Sequence, residues 1–258
     1  MATSPSTEAR IDPRESRTLP NTIEIARAPR RPHVPESRFG TWFINTGAWN
    51  KYVLEIAVGD LEGLIADRRE SYPVIVDAGC GWGHSLQLLQ NRFRPEHLVA
   101  IDIDAKMIAA ASAKALRPGL KVEFQTTTGS QHRLADGSID MIFCHQTFHH
   151  FVDQEEALRE FYRVLKPKGV LLFAESTRRF IHSWIIRLLF RHPMDVQRTA
   201  PEYLSMIRGA GFAVAPESIS YPYLWWSRPD FAIFERCFGI APRAGYENTQ
   251  INLAAIRP

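Results

Sequence analysis

The stretch Asp77-Ala78-Gly79-Cys80-Gly81-Trp82-Gly83-His84 follows the apolar run Val74-Ile75-Val76 and precedes Ser85-Leu86-Gln87-Leu88-Leu89. A short apolar run bounded by turn residues reads as a buried strand, and the leucine spacing after the corner reads as a helix. Glycine at 79, 81 and 83 removes every second Cβ, so the backbone can turn sharply and approach a ligand closely. In open α/β sheets, ligands bind at such corners beyond the carboxyl ends of strands. A nicotinamide-dinucleotide fingerprint would read G-x-G-x-x-G or A. Here His84 stands at the third position and the third glycine comes one residue early.

The flanking sequence supports an alternating architecture. A helical pattern runs from Phe39 to about Arg69, with apolar faces from Trp42, Phe43, Trp49, Tyr52, Leu54, Ile56, Leu61, Leu64 and Ile65. Strands are expected at 74–78, 98–102, 122–126, over "SIDMIFCH" and over "GVLLFAE", with helices from about 82 to 94 and 105 to 115. Leu158, Phe161, Tyr162 and Leu165 mark one face of a further helix. Asp153 with Glu156 predicts a capping box at its start, and Pro167 with Gly169 predicts its end. Short connections between alternating strands and helices imply a parallel sheet covered on both faces. After residue 176 an aromatic and arginine-rich stretch (178–198) interrupts the rhythm. A helix near 201–210 and strands near 212–221 and 249–256 follow.

Composition excludes several classes. A net charge of +3 over 258 residues, without a long basic block, gives no footprint for nucleic acid. Cys80, Cys144 and Cys237 share no zinc-like spacing and cannot form a framework of bridges, which favours a reducing, cytoplasmic setting. No run of 18 apolar residues suggests a spanning helix. Residues 1–37 carry Pro5, Pro13, Pro20, Pro29, Pro32 and Pro35 among mixed charges and read as a disordered tail. Glu8, Asp12, Glu15 and Glu24 argue against a transit peptide. The organisation expected is one domain over 38–258: a helical cap (38–70), a cofactor-binding core (72–176), and a substrate-side insert with the final strands (177–258).

The spacing D-x-G-x-G-x-G resembles motif I of the class I S-adenosylmethionine-dependent methyltransferases. The likeness continues in "HLVAIDIDAKMIAAA", "ADGSIDMIFCHQTFHHF" and "LREFYRVLKPKGVLLFAES", so it covers about residues 72 to 176. These segments are similar to the small-molecule branch that includes quinone and sterol methyltransferases. The resemblance implies an α/β, Rossmann-like seven-stranded sheet with helices on both faces, an N-terminal helical cap and an insert after the fifth strand. It implies S-adenosyl-L-methionine as cofactor, with Asp77 near the methionyl amino group. Gly79, Cys80, Gly81 and Gly83 would form the loop along the amino-acid and ribose portions. Asp102 would accept from both ribose hydroxyls, which suits a carboxylate with two acceptor oxygens. Ile103 and Met107 would border the adenine, while Asp104 suits the helix N-cap. Many relatives place an acid after the third strand; here Thr128 stands there, with Gly129 beside it, so adenine recognition departs from the pattern.

The fourth strand ends in "CHQTFHHF" beside the expected position of the transferable methyl. His145 and Gln146 are expected to help form the cofactor pocket. His149, or less directly His145, is the candidate base or orienting group. Capping of the following segment by His149 and His150 is the plainer alternative. The spacing of Cys144, His145, His149 and His150 matches no closed zinc pattern, and no metal is expected. Two aromatic stretches, "RFGTWFINTGAWNKY" and "SYPYLWWSRPDF", could surround a flat or greasy acceptor or simply pack. The apolar and arginine-rich segment 178–191 is either a lid or a peripheral membrane contact. The expected function is methyl transfer to oxygen or carbon of a small hydrophobic or aromatic acceptor. The alternatives are a non-methylating enzyme using the same cofactor, and a non-catalytic cofactor-binding protein.

Overall fold

The computed structural model describes residues 34–114, 118–130, 132–228, 230–241 and 245–258. Seven strands form one sheet: β1 (Val74–Ala78), β2 (His97–Asp102), β3 (Lys121–Thr126), β4 (Ile139–His145), β5 (Leu165–Ser176), β6 (Ile219–Ser220) and β7 (Gln250–Ile256). Their spatial order is β3-β2-β1-β4-β5-β7-β6. The first five pair in parallel, whereas β7 runs antiparallel to both β5 and β6, so the sheet is mixed rather than wholly parallel. From β1 the chain winds outward through β2 to β3, then returns to start the other half at β4. That reversal opens a crevice between the ends of β1 and β4, the place where doubly wound sheets bind ligands.

The helices follow the side-chain alternation of the strands. On β1, Ile75 faces a core with Val58 and Leu61 of α3 (Glu55–Gly63) and Leu86, Leu89 and Phe93 of α4 (His84–Phe93). Ala111 of α5 (Ala105–Ser112) joins this side. The next residue, Val76, faces the opposite core with Leu158 and Phe161 of α6 (Gln154–Val164) and Tyr203 and Ile207 of α9 (Ala200–Gly209). Both faces being covered explains why β1 and β4 read as continuous apolar runs.

Several expectations are corrected. The N-terminal helical segment is broken into α1 (Arg38–Ile44) and α2 (Gly47–Trp49), followed by a π-turn over Asn50–Leu54 that leads into α3. Thr46 causes the break, because its hydroxyl accepts from the Trp49 amide and starts a new helix. The helix α6 stops at Val164, ahead of Pro167, because Leu165 is already extended and paired with Ile139. The amides of Gly137 and Ser138 take the last helix carbonyls, those of Arg163 and Val164.

The Asp153 side chain makes no capping bond, so the predicted box at α6 is not formed. A capping box exists instead at Thr199 and Glu202 of α9. The expected strand near 212–221 is reduced to Ile219–Ser220 and a single bridge at Ala213, since Pro216 begins a 3-10 turn between them. Residues 1–33 of the expected tail lie outside the described residues. Two of residues 34–37 contact the insert: the Glu36 carboxylate accepts from the Arg191 amide and the Ser37 hydroxyl donates to the Leu189 carbonyl.

Candidate active site

A cavity of about 470 Å³ lies over the carboxyl ends of β1, β2 and β4. Asp77, Gly79, Cys80 and Gly81 line one part of it, together with Asp102, Ile103, Met107, Thr128 and Gly129 from the next two strand ends. His145, Gln146 and His149 line it from the end of β4. Twelve of the thirteen residues expected from sequence therefore meet in one space. The exception is Gly83, whose bare Cα (φ +74°) faces α5: a Cβ there would come within 2.9 Å of Ala111. Its glycine is required by helix packing, not by the cavity.

The glycine corner is shaped from both sides. Gly79 adopts φ +88°, and a Cβ on it would collide with the Thr147 side chain from the turn after β4. The amides of Gly79 and Cys80 both donate to the Ile101 carbonyl, which ties the loop to the end of β2. Asp102 then accepts from the Gly81 amide at 2.9 Å with one carboxylate oxygen and from the Asp104 amide at 2.9 Å with the other. Backbone amides thus hold both oxygens of a carboxylate that lines the cavity. Asp104 caps α5 through the Lys106 amide, as expected.

Asp77 is buried and accepts from the Ser85 hydroxyl. Burial, opposed by the Ser85 bond and reinforced by the Asp102 charge, pushes its pKa up to about 7. A cationic amine placed beside it would restore the ionised form. Burial also pushes the Cys80 thiol well up, so it stays protonated and acts as a small wall residue. Gln146 holds a left-handed backbone (φ +50°), and its side chain joins a ring of hydrogen bonds with Ser176 and Gln250. Across the cavity, Thr128 and Ser130 hydroxyls stand 3.3 Å apart, and Gly129 leaves room for the Phe151 ring.

The two candidate histidines separate clearly. His145 lies against Trp49 and Phe143, and burial with the nearby His149 lowers its pKa to about 3. Its Nε2 is buried and has no hydrogen-bond partner among the described residues. His149 instead contacts Glu175 Oε2 through Nδ1 at 2.6 Å. Glu175 is fully buried at the end of β5, and its other oxygen accepts from the amides of Thr147 (2.8 Å) and Phe148 (2.6 Å). Sequence reasoning passed over Glu175. The available signal was a charged residue ending the apolar run of β5, since a buried carboxylate persists only with partners. His192 was also missed; its ring stands 5.1 Å from that of His149, tilted by 47°, on the segment after the insert helices, and burial lowers its pKa to about 3.

An apolar part of the wall comes from outside the sheet. Phe39 and Phe43 of α1 meet Phe190 edge-on at 5.6 and 5.9 Å. The insert forms α7 (Arg178–Ile181) and α8 (Trp184–Leu189), and Phe180, Ile185, Ile186 and Leu189 line the cavity. Trp225 and Trp226 line it too, whereas Tyr221 and Tyr223 do not; Tyr223 stacks on Tyr246 at 3.8 Å.

A sheet of this order with a glycine corner at β1 and an aimed acid at the end of β2 defines a class I methyltransferase fold. Residues 76–173 match the family described as methyltransferase domain. It is similar to demethylmenaquinone methyltransferase of Thermus thermophilus, with 35% identity over 101 residues, 39% of this chain and 46% of that protein. It is also similar to phosphoethanolamine N-methyltransferase 1 of Arabidopsis thaliana, with 29% identity over 55% of this chain and 27% of that protein. The chain thus spans less than half the length of either relative. Among solved structures, an S-adenosylmethionine-dependent methyltransferase from Mesorhizobium loti superposes with a TM-score of 0.56. The match has 18% identity and covers 78% of this chain and all of that one.

The Asp77 environment fixes a pH dependence. With its pKa near 7 in the free protein, Asp77 would release a proton if a cationic amine bound beside it. Affinity for S-adenosylmethionine should therefore rise by about tenfold from pH 6 to pH 8 in calorimetry, beyond the slope seen in Asp77→Asn. Identical slopes in the two proteins would contradict this role.

Proposed function

We propose that the protein transfers a methyl group from S-adenosylmethionine to oxygen or carbon of a small, hydrophobic or aromatic acceptor. One observation carries the reading: a single cavity has a polar end lined by Asp77 and Asp102 and an apolar wall near which His149 rests on Glu175. The residues present fit the cofactor. Gly81 opens toward Met107 without a Cβ, and its amide holds the Asp102 carboxylate beside it. Asp77, Gly79, Cys80 and Gly81 would hold the amino-acid and ribose portions. Ile103, Met107, Thr128 and Gly129 would surround the adenine, with His145 and Gln146 flooring the pocket. When bound, the cofactor supplies an electrophilic methyl on a sulfonium.

The chain's own contribution is positioning, exclusion of water and proton handling. Phe39, Phe43, Phe180 and Phe190 wall off the acceptor end, which favours an apolar ring and fixes its approach. A carboxylate only accepts hydrogen bonds, so Glu175 fixes the His149 hydrogen at Nδ1 and leaves the lone pair at Nε2. That nitrogen would take the proton of an acceptor hydroxyl or acidic carbon as the methyl arrives. One relative is named for a quinone, and the apolar wall suits a flat acceptor of that kind.

Two outcomes are expected. His149→Ala should lower turnover by about 100-fold or more while S-adenosylmethionine affinity stays within about twofold, and Glu175→Gln should lower turnover less. Retained turnover in His149→Ala would remove the base assignment. A second reading concerns delivery of the acceptor. Trp184 and Leu188 are 75% and 73% exposed, one turn apart on the outer side of α8 beside Arg187, while Ile185 and Leu189 face the cavity. Such a face suits an anionic bilayer surface. Co-sedimentation with anionic vesicles should be lost in Trp184→Ala/Leu188→Ala; no binding by the unaltered protein would retire the idea.

A further inference from the structure

His149 has two imidazole neighbours that neither the cofactor cleft nor the proton-transfer reading uses. His149 and His150 lie on the turn after β4, and His192 follows α8 forty-two residues later in the chain. Their ring centroids stand 4.4, 5.1 and 5.0 Å apart. One ring nitrogen from each lies within 4.8 Å of the others, and all three residues line the cavity. The segments that bring them together are tied at the backbone. Gln197, itself buried, donates through Nε2 to the His149 carbonyl at 2.9 Å and to the Pro193 carbonyl at 2.7 Å.

We infer that His149, His150 and His192 form a binding site for one divalent transition-metal ion, zinc by preference, with a coordination position open to the acceptor. Three imidazoles without a carboxylate or thiolate select zinc, copper, nickel or iron over magnesium and calcium, which demand oxygen ligands. Three protein ligands with an open fourth position is the arrangement of a catalytic zinc site rather than a structural one. The orientation of His149 meets the same requirement. Glu175 lies 2.6 Å from Nδ1 and can only accept there, which leaves the lone pair at Nε2, as carboxylate partners do for metal-bound histidines. The Glu175 charge lies one ring away and would partly balance the ion.

Bonds of about 2.0 Å in a tetrahedron place ligating nitrogens roughly 3.3 Å apart. The three rings must therefore close by about 1.5 Å from the widest separation allowed by the 4.8 Å grouping. His150 and His192 are only half-buried, so side-chain rotation can supply that closure while Glu175 keeps His149 in place. The linear spacing hid the site, because the third histidine comes from the insert. The sequence expectation of no metal weighed Cys144, His145, His149 and His150. Cys144 does not line the cavity, and His192 lay outside that set.

This inference does not require the proposed base. The single lone pair of His149 cannot both accept a proton and bind an ion. In the loaded protein the ion would bind an acceptor oxygen and stabilise its anionic form.

The test uses the full chain, stripped with a chelator and dialysed, with Zn²⁺ or Co²⁺ as the only addition. Calorimetry and elemental analysis should give one ion per chain, and Co²⁺ should show the intense visible bands of a four-coordinate ion. His150→Phe and His192→Phe keep an aromatic ring and remove a ligand; each should weaken binding at least tenfold. X-ray absorption on the zinc-loaded unaltered protein should show a shell of three imidazole nitrogens, a readout that does not depend on either variant folding. No stoichiometric binding, a shell containing sulfur or only oxygen, or unchanged affinity in both folded variants would overturn the site. None of these measurements includes cofactor or acceptor, so their failure would leave the methyl-transfer reading standing.

Discussion

The buried carboxylate of Glu175 organises the reactive end of the site. At the end of β5 and out of contact with water, it accepts from two successive amides of the turn after β4 and contacts the His149 ring. An isolated buried charge would be strongly unfavourable, so these bonds are a condition of its presence. They also set where Thr147 stands, and Thr147 is the side chain that requires Gly79 to be bare. The β1 corner and the β4 turn are thus shaped against each other across the point where the strand order reverses. One carboxylate on a neighbouring strand holds the second of them.

The cavity is divided by the origin of its walls. Its polar end is built from strand ends and the amides that follow them, so backbone geometry fixes Asp77 and Asp102. Its apolar end is built from α1, α7, α8 and the Trp225–Ser227 turn, segments far apart in sequence that meet through aromatic edges such as Phe43 on Phe190. Rigid strand ends suit a constant cofactor, whereas walls supplied by loops and short helices can change with the acceptor.

Local patterns carried the core of the fold into the sequence. The Val74–Ala78 strand, the corner after it and the Asp102 and Asp104 pair are legible because each depends on neighbours within a few residues. The features that could not be read depend on long-range contacts. Gly83 is explained by Ala111, the end of α6 by Ile139, and the break after α1 by a hydroxyl that could equally have faced solvent. Asp153 and Glu156 had the spacing of a capping box, yet Asp153 forms no cap bond, because spacing permits the geometry without enforcing it. Glu175 and His192 were invisible for the same reason. Their significance lies in partners 26 and 43 residues away from each along the chain, counted to His149.

The account rests on a nucleoside sulfonium lying across the ends of β1 and β2 with its sugar held by Asp102. Calorimetric titration of S-adenosylmethionine into the unaltered protein and into Asp102→Ala tests it most directly. Saturable binding by the first and at least tenfold weaker binding by the second are predicted, since hydrogen bonds to a charged group contribute about 1.5–3 kcal/mol. No binding by the unaltered protein, or equal affinity in the two, would contradict it.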